Sequence, residues 1–354
     1  MEDISDVEII APNFKRRLSG VTSTIIQLIP VQRALGQKVA TLGPGLPESL
    51  PHIGYLSLFR LWRRPNHRAL RVWHARRNIE MLPAIFMRDI LRMKLKIVFT
   101  SASQRKHSGW TKFLVSRMDA VIATSNRTAA YLEVPSTTIM HGIDTQRFFP
   151  AGDKAAAKAA VSLPADRKIA GCFGRVRHQK GTDLFVDSMI GLLPQRPDWI
   201  AIVAGRATPA HQAFETELKE KVKAAGLGER ILFVGEHTNI PDWYRALDLF
   251  IAPQRWEGFG LTPLEAMATQ VPVVATDVGA FSELLATGKD ETGILIPAGS
   301  LTEMAEAAAL FMDDPERTKH AGARGLSRAI ASFSIEREAT TIGEIYEKLL
   351  SSAN

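Results

Sequence analysis

The chain has one cysteine, Cys172, inside the apolar stretch KIAGCFG. A lone thiol excludes internal disulfides and cysteine-cluster metal sites, and it suits a reducing compartment. No apolar run reaches the roughly 18 residues that a membrane span needs. The opening MEDISDVEII is acidic where a secretory leader would be basic, so no leader is expected. The G-x-G-x-x-G fingerprint of dinucleotide sites is missing, because LSGVTST between the first strand and first helix supplies only Gly20. GRVRHQKGT (174–182) falls short of a phosphate-binding Walker loop, since Gly181 follows Lys180 instead of preceding it. No zinc-finger or RNA-recognition signature is present, and no nucleic-acid partner is expected.

What is present is a globular chain of 354 residues, 45% hydrophobic and 23% charged. Single cores rarely grow beyond roughly 250–300 residues, so two domains are expected. Charge divides unevenly between them. Residues 1–150 carry 22 Lys and Arg against 10 Asp and Glu, whereas the remainder carries 22 against 27, which together give the net +7. Between residues 60 and 117 there are 15 basic side chains and two acids, Glu80 and Asp89. A field of that density favours an anionic partner.

Short apolar strands alternate with amphipathic helices along both halves. DVEIIAP, QKVATLG, LRVWHA, KIVFTS and DAVIATS read as strands of the first half, with a helix over IIQLIPVQRAL. KIAGCFG, WIAIVAG, RILFVG, DLFIAP, VPVVATD and GILIPA read as strands of the second. This βα alternation predicts two doubly wound α/β domains with mostly parallel sheets. The segment 144–155, with Pro150 and Gly152, breaks the pattern and is expected to be the linker. The expected division is 1–150, 151–330 and a tail helix over 331–354, whose apolar stripe must bury itself on a neighbouring surface.

Two loops concentrate the chemistry. After KIAGCF, Gly174, Arg175 and Lys180 precede a helix N-terminus near Asp183, where backbone amides, the helix dipole and two cations favour an anion such as a pyrophosphate. After DLFIAPQ, the stretch RWEGFGLTPLEAMA sets Glu257 beside Gly258, Phe259 and Gly260. Open parallel sheets place ligands at such a turn. Thr262, Pro263, Leu264 and Glu265 read as N-cap to N3 of a helix, so Glu265 is expected to close a capping box.

The order of CFGRVRHQKGTDLFV, VAGRA, ILFVGEH, IPDWYRALDLFIAPQRWEGFGLTPLEAMATQVPVVATDVGAFSELL and TGILIPAGS resembles the retaining glycosyltransferases of family four, the E-x7-E class. SGVTSTIIQLIPVQRALGQKV, MDAVIATS and TIMHGIDTQRFFP extend the resemblance over nearly the whole chain. VWHARRNIEM and VFTSASQRKHSGWTKFL resemble more narrowly the alphaproteobacterial lipopolysaccharide core mannosyltransferases.

The resemblance implies a GT-B fold, two Rossmann-like domains facing a cleft, with the C-terminal helix packing back on the N-terminal domain. It implies transfer of a hexose, mannose from GDP-mannose, with retention, onto a Kdo-containing lipopolysaccharide core acceptor. A UDP- or ADP-sugar and another glycolipid or polysaccharide are the alternative. In these terms Glu257 would meet the donor sugar, Glu265 the ribose, and the amides of Gly258 to Thr262, Leu261 included, the sugar and phosphates. Arg175 and Lys180 would stabilise the departing diphosphate. No D-x-D is present, and neither metal nor cofactor is expected. Gln270 and Ala280 stand where the family commonly has glycine. The family's acceptor-side histidine has His107 as candidate, with His74 next.

On the acceptor side Gly20 lies in the family's glycine loop. Arg76, Arg77, Arg105 and Lys106 follow the strands LRVWHA and KIVFTS and are expected to grip the acceptor's carboxylate. The basic half is expected to attach peripherally to the cytoplasmic face of an inner membrane. A nicotinamide-dependent oxidoreductase and a non-catalytic module for anionic membranes are the competing readings.

Overall fold

A computed structural model describes residues 2–16 and 20–351. The chain divides into two compact units, Met1–Asp144 with Ser334–Asn354, and Thr145–Phe333.

In the first unit seven strands form a sheet: β1 (Ile9–Pro12), β2 (Val39–Leu42), β3 (His52–Ile53), β4 (Arg71–Ala75), β5 (Leu95–Ser101), β6 (Ala120–Ala123) and β7 (Thr137–Thr138). They run parallel in the order β3-β2-β1-β4-β5-β6-β7. β1 is the turning point, with Ile9 opposite Val39 on one side and Val72 on the other. Every residue of β1, β2 and β4 is buried, as expected of strands covered on both faces. Ile10, Trp73, Ile97 and Phe99 pack on one face of the sheet, and Ile9, Val72, Val98 and Ile122 on the other.

The second unit has six parallel strands: β8 (Lys168–Phe173), β9 (Trp199–Ala204), β10 (Ile231–Gly235), β11 (Leu249–Ala252), β12 (Val273–Thr276) and β13 (Gly293–Ile296). Their order is β10-β9-β8-β11-β12-β13, so the switch point lies between β8 and β11. Phe250, at the centre of β11, is fully buried. Truncating it to Ala would cost about 3–5 kcal/mol in lost transfer energy and cavity.

The C-terminal helix, Ile335–Ser351, belongs to the first unit. Ile335, Ala339, Ile342, Tyr346 and Leu350 form one stripe and join Ile25, Leu28, Ile29 and Val72 in a single cluster. Polar contacts fix its register. Glu338 accepts from His141 Nδ1 at 2.8 Å and from the Gly142 amide at 2.7 Å. Tyr346 Oη lies 2.5 Å from His74 Nδ1. A Cβ on Gly142 would stand 2.5 Å from Ser334 O and from Ile335 Cα, so only glycine lets this helix begin where it does.

Several elements depart from the sequence expectation. The first helix, Gly20–Ala34, starts before Ile25, so Gly20 opens a helix, and Arg17 to Ser19 of the expected glycine loop lie outside the described residues. A helix over Lys154–Ala160, capped by Asp153 with its carboxylate 2.8 Å from the Ala155 amide, begins inside the expected linker. Helices Asn78–Ile85, Gly109–Ser116 and Pro315–Ser332 and the short strands β3 and β7 were not anticipated. No helix among the described residues is long and apolar enough to cross a membrane.

Candidate active site

The loops after β8 and β11 meet at the switch point of the second unit. Gly174 leaves β8 with φ +137°, and Gly181, with φ +69°, ends the turn His178–Lys180 and opens the helix Thr182–Leu192. A Cβ on Gly181 would lie 1.8 Å from Pro253 O, so only glycine allows the two loops to touch. Arg255 then closes them. Its guanidinium holds Asp183 through bonds of 2.7 and 2.8 Å and donates to His178 O at 2.7 Å, while its amide donates to Gln179 O at 3.0 Å. Burial alone would raise the Asp183 carboxyl, but the hydrogen bonds and charge of Arg255 hold it below the usual range.

Lys180 and Glu257 project from these two loops and form an ion pair. Glu257 Oε1 also accepts from the Gly258 amide at 3.1 Å. The turn that follows is packed tightly around this carboxylate. A Cβ on Gly260 (φ +84°) would come within 2.8 Å of Glu257 Cγ and 2.3 Å of Phe281, and one on Gly279 within 2.6 Å of Phe259 O. Gly258, Phe259, Gly260 and Leu261 form this turn, with the Phe259 side chain buried and its carbonyl accepting from the Ala280 amide at 3.0 Å. Arg175 lies between Gly174 and the buried Val176 and is itself exposed.

Glu265 corrects the capping-box expectation. The helix Thr262–Ala268 has Leu261 as its N-cap, with no side-chain cap, so Thr262 is N1 and Glu265 is N4. Leu261 already holds helical angles (φ −79°, ψ −22°), which moves the start back by one residue. The Glu265 carboxylate instead accepts from Tyr244 Oη at 2.8 Å. Burial raises the Glu265 carboxyl above its usual range, and the Tyr244 bond and Arg147 charge offset this only in part. Its other oxygen has no hydrogen-bond partner among the described residues. Residues outside the expectation complete the floor. Gln254 is buried beneath the turn with its Oε1 unpaired, and Tyr244 and Arg255 act through Glu265 and Asp183. Nothing in their local spacing announces them.

Of the two substituted glycine positions, Ala280 has φ −93° and is unstrained. Gln270 has φ +62°, the left-handed region in which glycine is at ease, and it sits at the far end of the Glu265 helix.

In the first unit the loops after β1 and β4 also flank a switch point. Arg77 corrects the expectation of a carboxylate grip. Its Nη1 donates to Glu80 at 2.7 Å and to Asn13 at 2.8 Å, and its Nη2 to Thr22 at 3.1 Å, so the fork is engaged within the protein. Glu80 is fully buried and also accepts from the Arg76 amide at 2.8 Å. Arg76 is half-buried, whereas Arg105, Lys106 and Gly20 are exposed. His74 is fully buried between Tyr346 and Thr100, and burial holds its pKa well below the usual value, so it serves as a structural connector. His107 is half-buried with Nε2 unpaired, its pKa lowered by burial and then by Arg105.

The family model for glycosyl transferases group 1 matches residues 153–328, which hold both loops. The lipopolysaccharide core biosynthesis mannosyltransferase LpsB of Rhizobium meliloti (strain 1021) is 71% identical over 350 residues, 99% of this chain and 100% of that protein. The chain belongs to the group 1 glycosyl transferases. The corresponding LpcC of Rhizobium leguminosarum bv. viciae is 56% identical over 350 residues, 99% of both chains. The crystal structure of Anabaena Alr3699/HepE in complex with UDP superposes with a TM-score of 0.82 at 18% identity, over 97% of this chain and 100% of that one, and has the same fold. For this glycosyltransferase the oxidoreductase and non-catalytic readings fall away. Among the described residues no group of three or more His, Cys, Asp or Glu is arranged to hold a metal ion.

Proposed function

We propose that the enzyme transfers a mannosyl residue from GDP-mannose, with retention of configuration, to a Kdo-containing lipopolysaccharide core acceptor. The observation that carries the chemistry is the Lys180–Glu257 pair at the β8/β11 switch point. Ligands of open α/β sheets bind at that crevice. A cation and a carboxylate joined there suit a molecule with an anionic diphosphate at one end and hydroxyls at the other. The two relatives named as lipopolysaccharide core mannosyltransferases support the sugar and the acceptor.

In this reading Arg175 and Lys180 face the diphosphate. Charge gathers on the leaving oxygen as the glycosidic bond breaks, so cations placed there lower the barrier rather than only tightening binding. An ammonium has three donors, so Lys180 can keep Glu257 aligned while it serves a phosphate. Glu257 accepts from hydroxyls of the sugar. The open oxygen of Glu265 accepts from a ribose hydroxyl, with Tyr244 fixing the carboxylate's rotation. Arg76, Arg105 and Lys106 meet the acceptor's anionic groups, His107 contacts the acceptor side, and no divalent metal takes part. The enzyme works at the cytoplasmic face of the inner membrane, where a lipid-anchored acceptor is presented.

A donor screen that follows release of GDP, UDP and ADP tests the donor, and proton NMR of the new linkage tests stereochemistry. GDP release, an α-linked mannoside and full activity in EDTA are expected. Release of UDP or ADP alone, an inverted linkage, or activity lost to EDTA and restored by magnesium would each overturn the corresponding part.

A further inference from the structure

The first unit exposes apolar side chains that its own packing does not use. The helix Asn78–Ile85 runs on through a π-helical turn, Phe86–Ile90. Glu80, Met81, Ala84 and Met87 form its buried face. Ile79, Leu82, Phe86 and Ile90 follow at intervals of three and four residues, a single stripe, and all are exposed, Ile90 to 65%. A surface helix ordinarily sets charged residues on that side.

Two neighbours continue the patch. Trp62 Nε1 donates to Leu91 O at 2.7 Å, which places the segment Tyr55–Trp62 at the far end of the stripe. Leu56 and Phe59 there are 80% and 71% exposed. At the near end Asn78 Nδ2 donates to Thr111 Oγ1 at 2.7 Å, which joins the helix Gly109–Ser116. Its Trp110 and Phe113 stack at 5.8 Å and are likewise exposed. These three segments hold ten of the 17 large apolar side chains exposed among the described residues, which is a concentration rather than ordinary scatter.

The charge around the patch selects its occupant. Exposed Arg63 and Arg64 follow Trp62, and exposed Arg92 and Lys94 follow Ile90. No acidic residue occurs between Ser49 and Ile79. A second copy of this chain would bring the same cations against themselves. Tyr and Trp beside Arg, around protruding Leu, Ile and Phe, is instead the composition of a surface that lies in a lipid interface.

We propose that these segments dock the enzyme on an anionic lipid leaflet, with Leu56, Phe59, Phe86 and Ile90 entering the acyl boundary and Arg63, Arg64, Arg92 and Lys94 at the phosphates. This deepens the lipid-linked acceptor reading above and takes its biological sense from it. Attachment then has two parts: a charge part that salt screens and an apolar part that it does not.

The test is flotation of the full chain with phosphatidylcholine vesicles, with and without phosphatidylglycerol, at low and high salt. Binding to the anionic vesicles is expected, weakened but not abolished by salt, with a blue shift of tryptophan emission. Phe86→Ser with Ile90→Ser, and separately Leu56→Ser with Phe59→Ser, should lower the bound fraction by about tenfold at high salt. Both variants should keep the wild-type melting curve and the wild-type rate on a delipidated, water-soluble acceptor. That last measurement separates failure of docking from failure of the transfer reading. Absence of flotation on either vesicle, wild-type binding by both variants, or a dimer in sedimentation that the serine variants dissolve would overturn the proposal.

Discussion

Lys180 and Glu257 lie 77 positions apart in sequence and meet as an ion pair across the β8/β11 switch point. Each therefore orients the other. Removing either leaves its partner without its counter-charge and, in the function proposed above, deprives the donor of a contact. Lys180→Ala and Glu257→Ala should each reduce kcat by about 10²- to 10³-fold, the usual cost of one stabiliser of developing charge. The double variant should lose far less than the product of the two. Steady-state rates of nucleotide release on folded proteins decide this, and strictly multiplicative losses would mean that the two side chains act independently.

Asp183 gives a pH signature. Its carboxyl is held below the ordinary 3.8 by Arg255, so the stability it contributes is present above that value and is lost as pH falls through its lowered folded value. Asp183→Asn should cost about 1–3 kcal/mol at neutral pH. The gap between wild type and variant should close in acid. Urea denaturation at a series of pH values checks it, and a gap that stays constant into acid would remove Arg255 as the source.

Gln270 is exposed and carries φ +62°, so Gln270→Gly relieves backbone strain without losing packing. The variant should be more stable by up to about 1 kcal/mol, with kcat unchanged. Thermal and urea unfolding report the first, and donor turnover reports the second.

The basic loops of the first unit should separate into two behaviours. Arg77→Ala strands the buried Glu80 carboxylate and should cost about 3–5 kcal/mol of stability. Arg105→Ala removes an exposed side chain and should stay within about 0.5 kcal/mol of wild type. Arg105→Ala should raise acceptor KM while leaving donor KM alone. An Arg105→Ala enzyme with normal acceptor kinetics would return that residue to plain surface charge.

Eleven of the 13 strands, all but β3 and β7, and the two glycine loops were legible because each writes a local signal, whereas the destination of the last helix came only from the family resemblance. Buried parallel strands appear as short apolar runs, and the loops after β8 and β11 carry glycines that their close contact requires. The helix Pro315–Ser332 was not anticipated although its start carries such a signal, with Asp314 as N-cap before Pro315. The helix Asn78–Ile85 was hidden for a different reason. It is apolar on both its buried and its exposed side, so no 3.6-residue contrast remains. Tertiary partners were beyond reach altogether. Tyr244 lies 21 positions from Glu265, and Asn13 lies 64 from Arg77, so neither the Glu265 bond nor the Arg77–Asn13 bond could be read from spacing.

The route of the chain between its two units sets an order on its birth. Thr145–Phe333 is one uninterrupted segment, whereas the first unit is finished only by Ser334–Asn354. On the ribosome the amino-terminal sheet emerges first yet lacks the helix Ile335–Ser351 until that later segment has been made. Until then Ile25, Leu28 and Ile29 have no cover from Ile342 and Tyr346, and His74 has no Tyr346 beside it. The later-made half can thus reach its native state before the earlier-made one. A nascent chain stalled shortly before residue 334 would offer chaperones an unfinished amino-terminal unit attached to a completed second unit.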